Sequence, residues 1–127
     1  MKKIFIVLLV FISLSLFALP LPTSIISALK SGNSNELAKY LDNSIDLSIP
    51  GNEGAFSKTQ SELILKNFFL KNVPSAFKIM HSGDSKNSTH FTIGNLTTSH
   101  GEFRVYILYK EIGSIVTITE LRIETDE

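Results

Sequence analysis

The chain has 127 residues and not one cysteine. That excludes disulfides, the usual staple of very small exported domains, and it excludes a lipid anchor carried on cysteine. A domain of about a hundred residues can do without either, because it buries roughly two thirds of its unfolded surface. Excess charge is missing too: 12 basic residues face 12 acidic ones. Setting Lys2 and Lys3 aside leaves 10 against 12, a net charge of −2. That balance is too weak to draw in nucleic acid or an anionic membrane. Nor is there an apolar run of the roughly 20 residues that a membrane-spanning helix needs. Residues 4–19 supply 16, two of them serine. The three histidines His81, His90 and His100 form no close pair, so no metal site is expected. The turn at Pro50-Gly51-Asn52-Glu53-Gly54 lacks the lysine and the strand-to-helix setting of a phosphate loop, so no nucleotide cofactor is expected either.

What the N-terminus does have is an order. A basic start, Met1-Lys2-Lys3, precedes an unbroken apolar run over residues 4–12 that continues to Leu19, and Pro20 and Pro22 then end any helix. This is the pattern of a secretory signal peptide over residues 1–19, with Ala18 as the small residue before the cut. The expected destination is the periplasm or the exterior, with no stable membrane insertion after cleavage. What remains is a single domain, residues 23–125.

Within it, Thr23 or Ser24 is placed to cap a first helix that Gly32 ends. Ser34 is placed to cap a second over residues 35–41, with Leu37, Ala38 and Leu41 at helical spacing. Ile45, Leu47 and Ile49 alternate with Asp46 and Ser48, the period of a half-buried strand. After the turn at Pro50, Ala55-Phe56 reads as a brief return strand. Ser57-Lys58-Thr59-Gln60 is a capping box. It predicts a third helix to Lys71 whose apolar residues Leu63, Ile64, Leu65, Phe68, Phe69 and Leu70 imply burial on more than one side. Four alternating segments follow, separated by short turns at residues 83–87, 99–101 and 113–114, which predict an antiparallel meander. Helices first and strands last give an α+β domain, with helices packed on a curved antiparallel sheet that tapers to a cone.

Four segments resemble a family of uncharacterised secreted bacterial proteins. They are Leu29-Lys30-Ser31-Gly32-Asn33, Pro50-Gly51-Asn52-Glu53-Gly54, Ser57-Lys58-Thr59-Gln60 with Ile64-Leu65-Lys66-Asn67-Phe68-Phe69, and Gly101-Glu102-Phe103-Arg104-Val105-Tyr106. The element order is similar to that of the nuclear transport factor 2-like superfamily, also called cystatin-like. The resemblance covers roughly residues 24–124 and implies the fold. It assigns no catalytic set, because that fold hosts isomerases, dehydratases, hydrolases and plain binding modules.

Enzymes of that superfamily, such as ketosteroid isomerase, keep an acid and a base inside the cone. The candidates here are His81, in register with Phe77 and Ile79, as base, and Tyr109 or Tyr40 as acid. The competing reading makes His81 a partly solvated residue near a sheet end and each tyrosine a core ring with a wet tip. Asp42 and Asp46 read as solvated. A ligand pocket is expected to draw on Phe56, Phe69, His81, Phe91 and Tyr109. The opposite face, with Met80, Arg104, Tyr106, Leu108, Ile118 and Arg122, reads either as a homodimer surface or as a simple exposed sheet. Three functions therefore compete: a module binding a small apolar ligand or a protein partner, an isomerase- or dehydratase-like enzyme, and a structural homodimer.

Overall fold

A computed structural model describes residues 21–126. Helix α1 (Thr23–Ser31) and short helix α2 (Ser34–Ala38) precede strands β1 (Leu41–Ile49) and β2 (Asn52–Ser57). Helix α3 (Lys58–Lys71) follows, and then strands β3 (Pro74–Asp84), β4 (Thr89–Thr98), β5 (Gly101–Ile112) and β6 (Ile115–Thr125). One curved six-stranded sheet runs in the order β2-β1-β6-β5-β4-β3. All neighbours are antiparallel except β1 and β6, which run parallel. The α+β class expected from the sequence is the observed one. Expectations over residues 1–19 lie outside the described residues.

Local chemistry sets the helix ends, not always at the residues expected. Pro22, not Thr23 or Ser24, stands at the start of α1. Its carbonyl accepts from the Ile25 and Ile26 amides at 3.0 and 3.2 Å, while the Ser24 hydroxyl bonds with that of Tyr40. Asn33, not Ser34, caps α2: its side chain accepts from the Glu36 amide at 3.0 Å. That helix stops at Ala38 rather than running to residue 41, because the Tyr40 carbonyl is taken by the Ile118 amide at 2.7 Å and the chain is drawn into the sheet. The capping box on α3 forms as expected, with Ser57 and Gln60 serving each other's amides at 3.1 Å.

Burial of α3 is one-sided, which corrects the sequence reading. Ser61, Leu65, Phe68 and Phe69 face the core, whereas Leu63 is 59% and Leu70 69% exposed. Apolar residues spread round a helix do not all find a partner, and this helix has a sheet on one side only. The core beneath it is continuous. Leu65, Phe68 and Phe69 join Ile25 and Leu29 of α1, Ile45 and Leu47 of β1, Phe103, Val105, Ile107 and Tyr109 of β5, and Leu121 and Ile123 of β6.

Three strand details decide which side chains face inward. The β4–β5 turn holds two residues, Ser99 and His100, so Thr98 pairs with Gly101 and Leu96 with Phe103. The buried set on β4 is therefore Thr92, Gly94, Leu96 and Thr98. A bulge at Met80 separates the pair Ile79–Gly94 from the pair His81–Ile93 and turns His81 to the outer face. A second bulge, at Thr119, puts Ile118 opposite Tyr109.

Candidate functional site

The second half of α3 passes the β1–β2 turn and the ends of β5 and β6 without closing against them. A pocket of about 290 Å³ opens there. Its apolar wall is Ile49, Ile64, Phe68 and Phe103, and its rim is Pro50, Asn52, Asn67, Lys71, Asn72 and Thr125. Helical spacing accounts for the α3 side: Ile64, Asn67, Phe68 and Lys71 are three or four apart and share a face. Phe68 is fixed edge-on to Phe103, with ring centroids 5.1 Å apart and planes at 80°, and edge-on to Phe69 at 5.7 Å. The opposite wall is stiff for a backbone reason. Proline pre-sets its own φ, and Gly51 takes φ +92°, the combination of a type II turn. Ile49 and Asn52 are the residues that this turn pairs.

The rim is rich in donors. Lys71 is its one charged side chain among the described residues, beside three amides and a threonine hydroxyl, and no lining residue is a carboxylate. Asn72 is already committed: its backbone amide and side-chain amide both donate to the Phe68 carbonyl, at 2.8 and 3.0 Å. That satisfies one of the orphan carbonyls at the end of α3. Lys71, Asn52 and Asn67 make no ion pair or side-chain hydrogen bond among the described residues. Three of the four segments named in the sequence analysis meet at this pocket: the turn at Pro50, the α3 stretch from Ile64, and the β5 start with Phe103.

None of the residues nominated from sequence lines this pocket. Phe69 is core, 4% exposed. Phe56 packs against the core from β2. Phe91 is on the outer face, its ring 6.3 Å from that of Tyr106 with planes at 17°. His81 is exposed on that same face, 5.7 Å from Phe91. Tyr109 does point inward and is buried, so it and His81 stand on opposite sides of the sheet. The hydroxyl of Tyr40 is engaged with Ser24. The structure therefore does not bring together the acid–base set that an isomerase-like mechanism would need. Among the interface candidates, Met80 is 61% exposed, and Arg104, Tyr106, Leu108 and Arg122 line the outer face. Ile118 does not: the Thr119 bulge turns it inward, fully buried.

Sequence reasoning missed His90. It faces inward beside Tyr109, ring centroids 5.5 Å apart, with Nδ1 2.7 Å from Asp84 Oδ1 and Nε2 3.9 Å from Glu111 Oε1. Ser82 and Thr92 share a hydroxyl contact of 3.3 Å nearby. Burial pushes the Tyr109 phenol above its ordinary value of 10.0, and a hydrogen bond with Thr92 partly offsets that. A raised value in the folded state means that this contribution is fully present below about pH 10 and fades as pH climbs through the folded value. Tyr109→Phe should cost about 1 kcal/mol at pH 7 through the lost hydrogen bond. Denaturant midpoints taken from pH 7 to pH 11 should show the gap to wild type closing above pH 10. A gap that widens there would contradict the burial argument.

The family model described as "Domain of unknown function (DUF4783)" matches residues 22–124. No curated protein matches the chain. Among solved structures, it is similar to a DUF4783 family protein from Bacteroides fragilis, with 32% identity and a TM-score of 0.76 over 84% of this chain and 100% of that one. A Bacteroides uniformis member of that family gives 34% identity and a TM-score of 0.75 over 85% of this chain and 100% of that one. An NTF2-like protein of unknown function from Cytophaga hutchinsonii shares 15% identity, covers 82% of this chain and 85% of its own, and has a TM-score of 0.55, a likeness of fold alone. With the sheet order, the helix placement and these matches in agreement, the chain belongs to the DUF4783 family and has the fold of nuclear transport factor 2-like proteins.

Proposed function

We propose that the domain is a non-catalytic binding module that holds a small molecule with an apolar body in the pocket beside α3. The observation that carries this reading is the pocket's construction: an apolar wall of Ile49, Ile64, Phe68 and Phe103 under a rim of amides. Binding sites typically combine such a wall with a few oriented polar groups. The module works outside the cytoplasm on this reading, delivered by residues 1–19, and the mass of the exported protein would locate the cut.

A blocked variant tests the reading. Asn67 is exposed at the mouth, so Asn67→Trp lays an indole across the opening without disturbing the core. Hexanoate and hexanamide are suitable probes. One or both should raise the melting temperature of the wild-type protein, as any ligand bound to the native state alone does, and neither should raise that of Asn67→Trp. Equal shifts in the two proteins would place binding elsewhere and end the reading.

A second reading, a homodimer through the outer face, is supported by one observation. His81, Phe91, Tyr106 and Arg122 form a continuous strip across β3 to β6, with Arg122 Cζ 5.9 Å from the Tyr106 ring centroid. Aromatic residues and arginine are enriched at interfaces. The two arginines in this region are already paired within one chain, Arg122 to Glu120 at 2.7 Å and Arg104 to Asp126 at 3.3 Å. Sedimentation at micromolar concentration decides it: a strict monomer excludes the dimer.

A further inference from the structure

We infer that the ligand of the α3 pocket is a small organic anion, a carboxylate on a short apolar chain, with its charge on Lys71. The inference rests on the binding-module reading and names the ligand class for that site.

Apart from Asn72, the donors around the pocket mouth are unspent among the described residues. Lys71 stands at the pocket mouth with no carboxylate partner among the described residues. Among the described residues only Lys39 is an ion-paired lysine, to Glu36 at 3.1 Å, so what sets Lys71 apart is its place at the pocket mouth. Asn67, one turn back on α3, and Asn52, across the mouth on β2, also have uncommitted side-chain amides, and the Thr125 hydroxyl stands beside them. An ammonium, two amides able to donate, and a hydroxyl around one opening match a group that only accepts. A carboxylate offers acceptor sites alone and gains most from a charged donor. Below the rim the wall turns apolar within one helical step, from Lys71 to Phe68 and Ile64, so the rest of the ligand must be hydrocarbon or aromatic. A volume near 290 Å³ limits it to a short chain or a single ring.

Two features of the surroundings oppose an anion and set the scale of the effect. The carbonyl end of α3 carries partial negative charge, but the Phe68 carbonyl there is covered by both Asn72 donors. Glu53 and Glu124 line the adjoining depression on the far side of the Pro50 turn, which shares Ile49, Pro50, Asn52 and Thr125 with the pocket. They disfavour a second negative charge in the ligand, and a monocarboxylate is the better fit. Lys71 is exposed, so its attraction is moderated by water and by salt.

The test compares hexanoate with hexanamide, its neutral isostere, by following the Asn52 and Asn67 side-chain amide resonances of the full chain. The wild-type protein should bind hexanoate about two- to fivefold more tightly, the scale of an exposed charge pair. Lys71→Gln should bring the two probes to parity by weakening hexanoate more than hexanamide, and Lys71→Arg should keep the preference. Raising the salt to 1 M should shrink it. Equal affinities in the wild-type protein would overturn the anion assignment and leave the binding module standing. Failure of both probes to bind would overturn the module and the anion together. Because Lys71 is a surface residue, its variants should unfold at the wild-type denaturant concentration, which separates lost affinity from lost structure.

Discussion

Phe68→Ala should destabilise the domain by about 3–5 kcal/mol, the range for removing a buried aromatic ring. The residue is 6% exposed and touches Phe103 and Phe69 edge-on. Its ring joins α3 to the first inward residue of β5 and forms part of the pocket wall at the same time. A small domain has only about 5–15 kcal/mol of net stability to lose, so the variant should unfold at a much lower urea concentration or fail to accumulate. Phe68→Leu keeps most of the volume and should cost well under half as much. A loss below about 1 kcal/mol for the alanine variant would mean that α3 is not clamped to the sheet as described.

Gly94→Val should be comparably severe, for the opposite reason. Any Cβ at Gly94 would stand 2.4 Å from Phe77 Cζ and 2.9 Å from the Lys78 carbonyl oxygen. The ring of Phe77 lies in the space that a side chain would take, and the carbonyl belongs to the neighbouring strand. Overpacking of this kind costs about 3 kcal/mol when backbone must move. Phe77→Ala should relieve the ring clash in the double variant but not the carbonyl clash, so the two changes should be strongly non-additive in a denaturation cycle. Simple additivity would show that Phe77 does not sit over Gly94.

The same two strands show what the sequence could and could not reveal. Alternation identified every strand but β2, which the Pro50 turn implied only as a brief return at Ala55-Phe56 and which spans Asn52–Ser57; the apolar face of β5 was legible because Phe103, Val105, Ile107 and Tyr109 are all large. The capping box fixed the start of α3 for a local reason, since Ser57 and Gln60 need only each other. Facing on β4 was not legible by composition, because Phe91 and Ile93 oppose Leu96. Turn length decides it. Reading the turn as three residues, 99–101, sets Phe91 inward, whereas the two-residue turn at Ser99 and His100 reverses the whole strand. The result is that Phe91 went to the outside and His90 to the inside. His81 and Ile118 were misplaced by single bulges, at Met80 and Thr119, which leave no mark on a period-two pattern. The pocket was only half visible. Pro50, Asn52, Ile64, Asn67, Phe68 and Phe103 lay in the motifs that carry the family resemblance, while Ile49, Lys71, Asn72 and Thr125 did not, and their convergence needs the parallel pairing of β1 with β6, a long-range contact that no local pattern reports.

On the binding-module reading a small molecule seats between α3 and the sheet at Phe68 and Phe103. Intermolecular NOEs from unlabelled hexanoate to the isotope-labelled protein test this most directly. Cross-peaks from its chain to Ile64, Ile49 and the Phe103 ring are the predicted result. Cross-peaks confined to Phe91 and Tyr106, on the far side of the sheet, would contradict it.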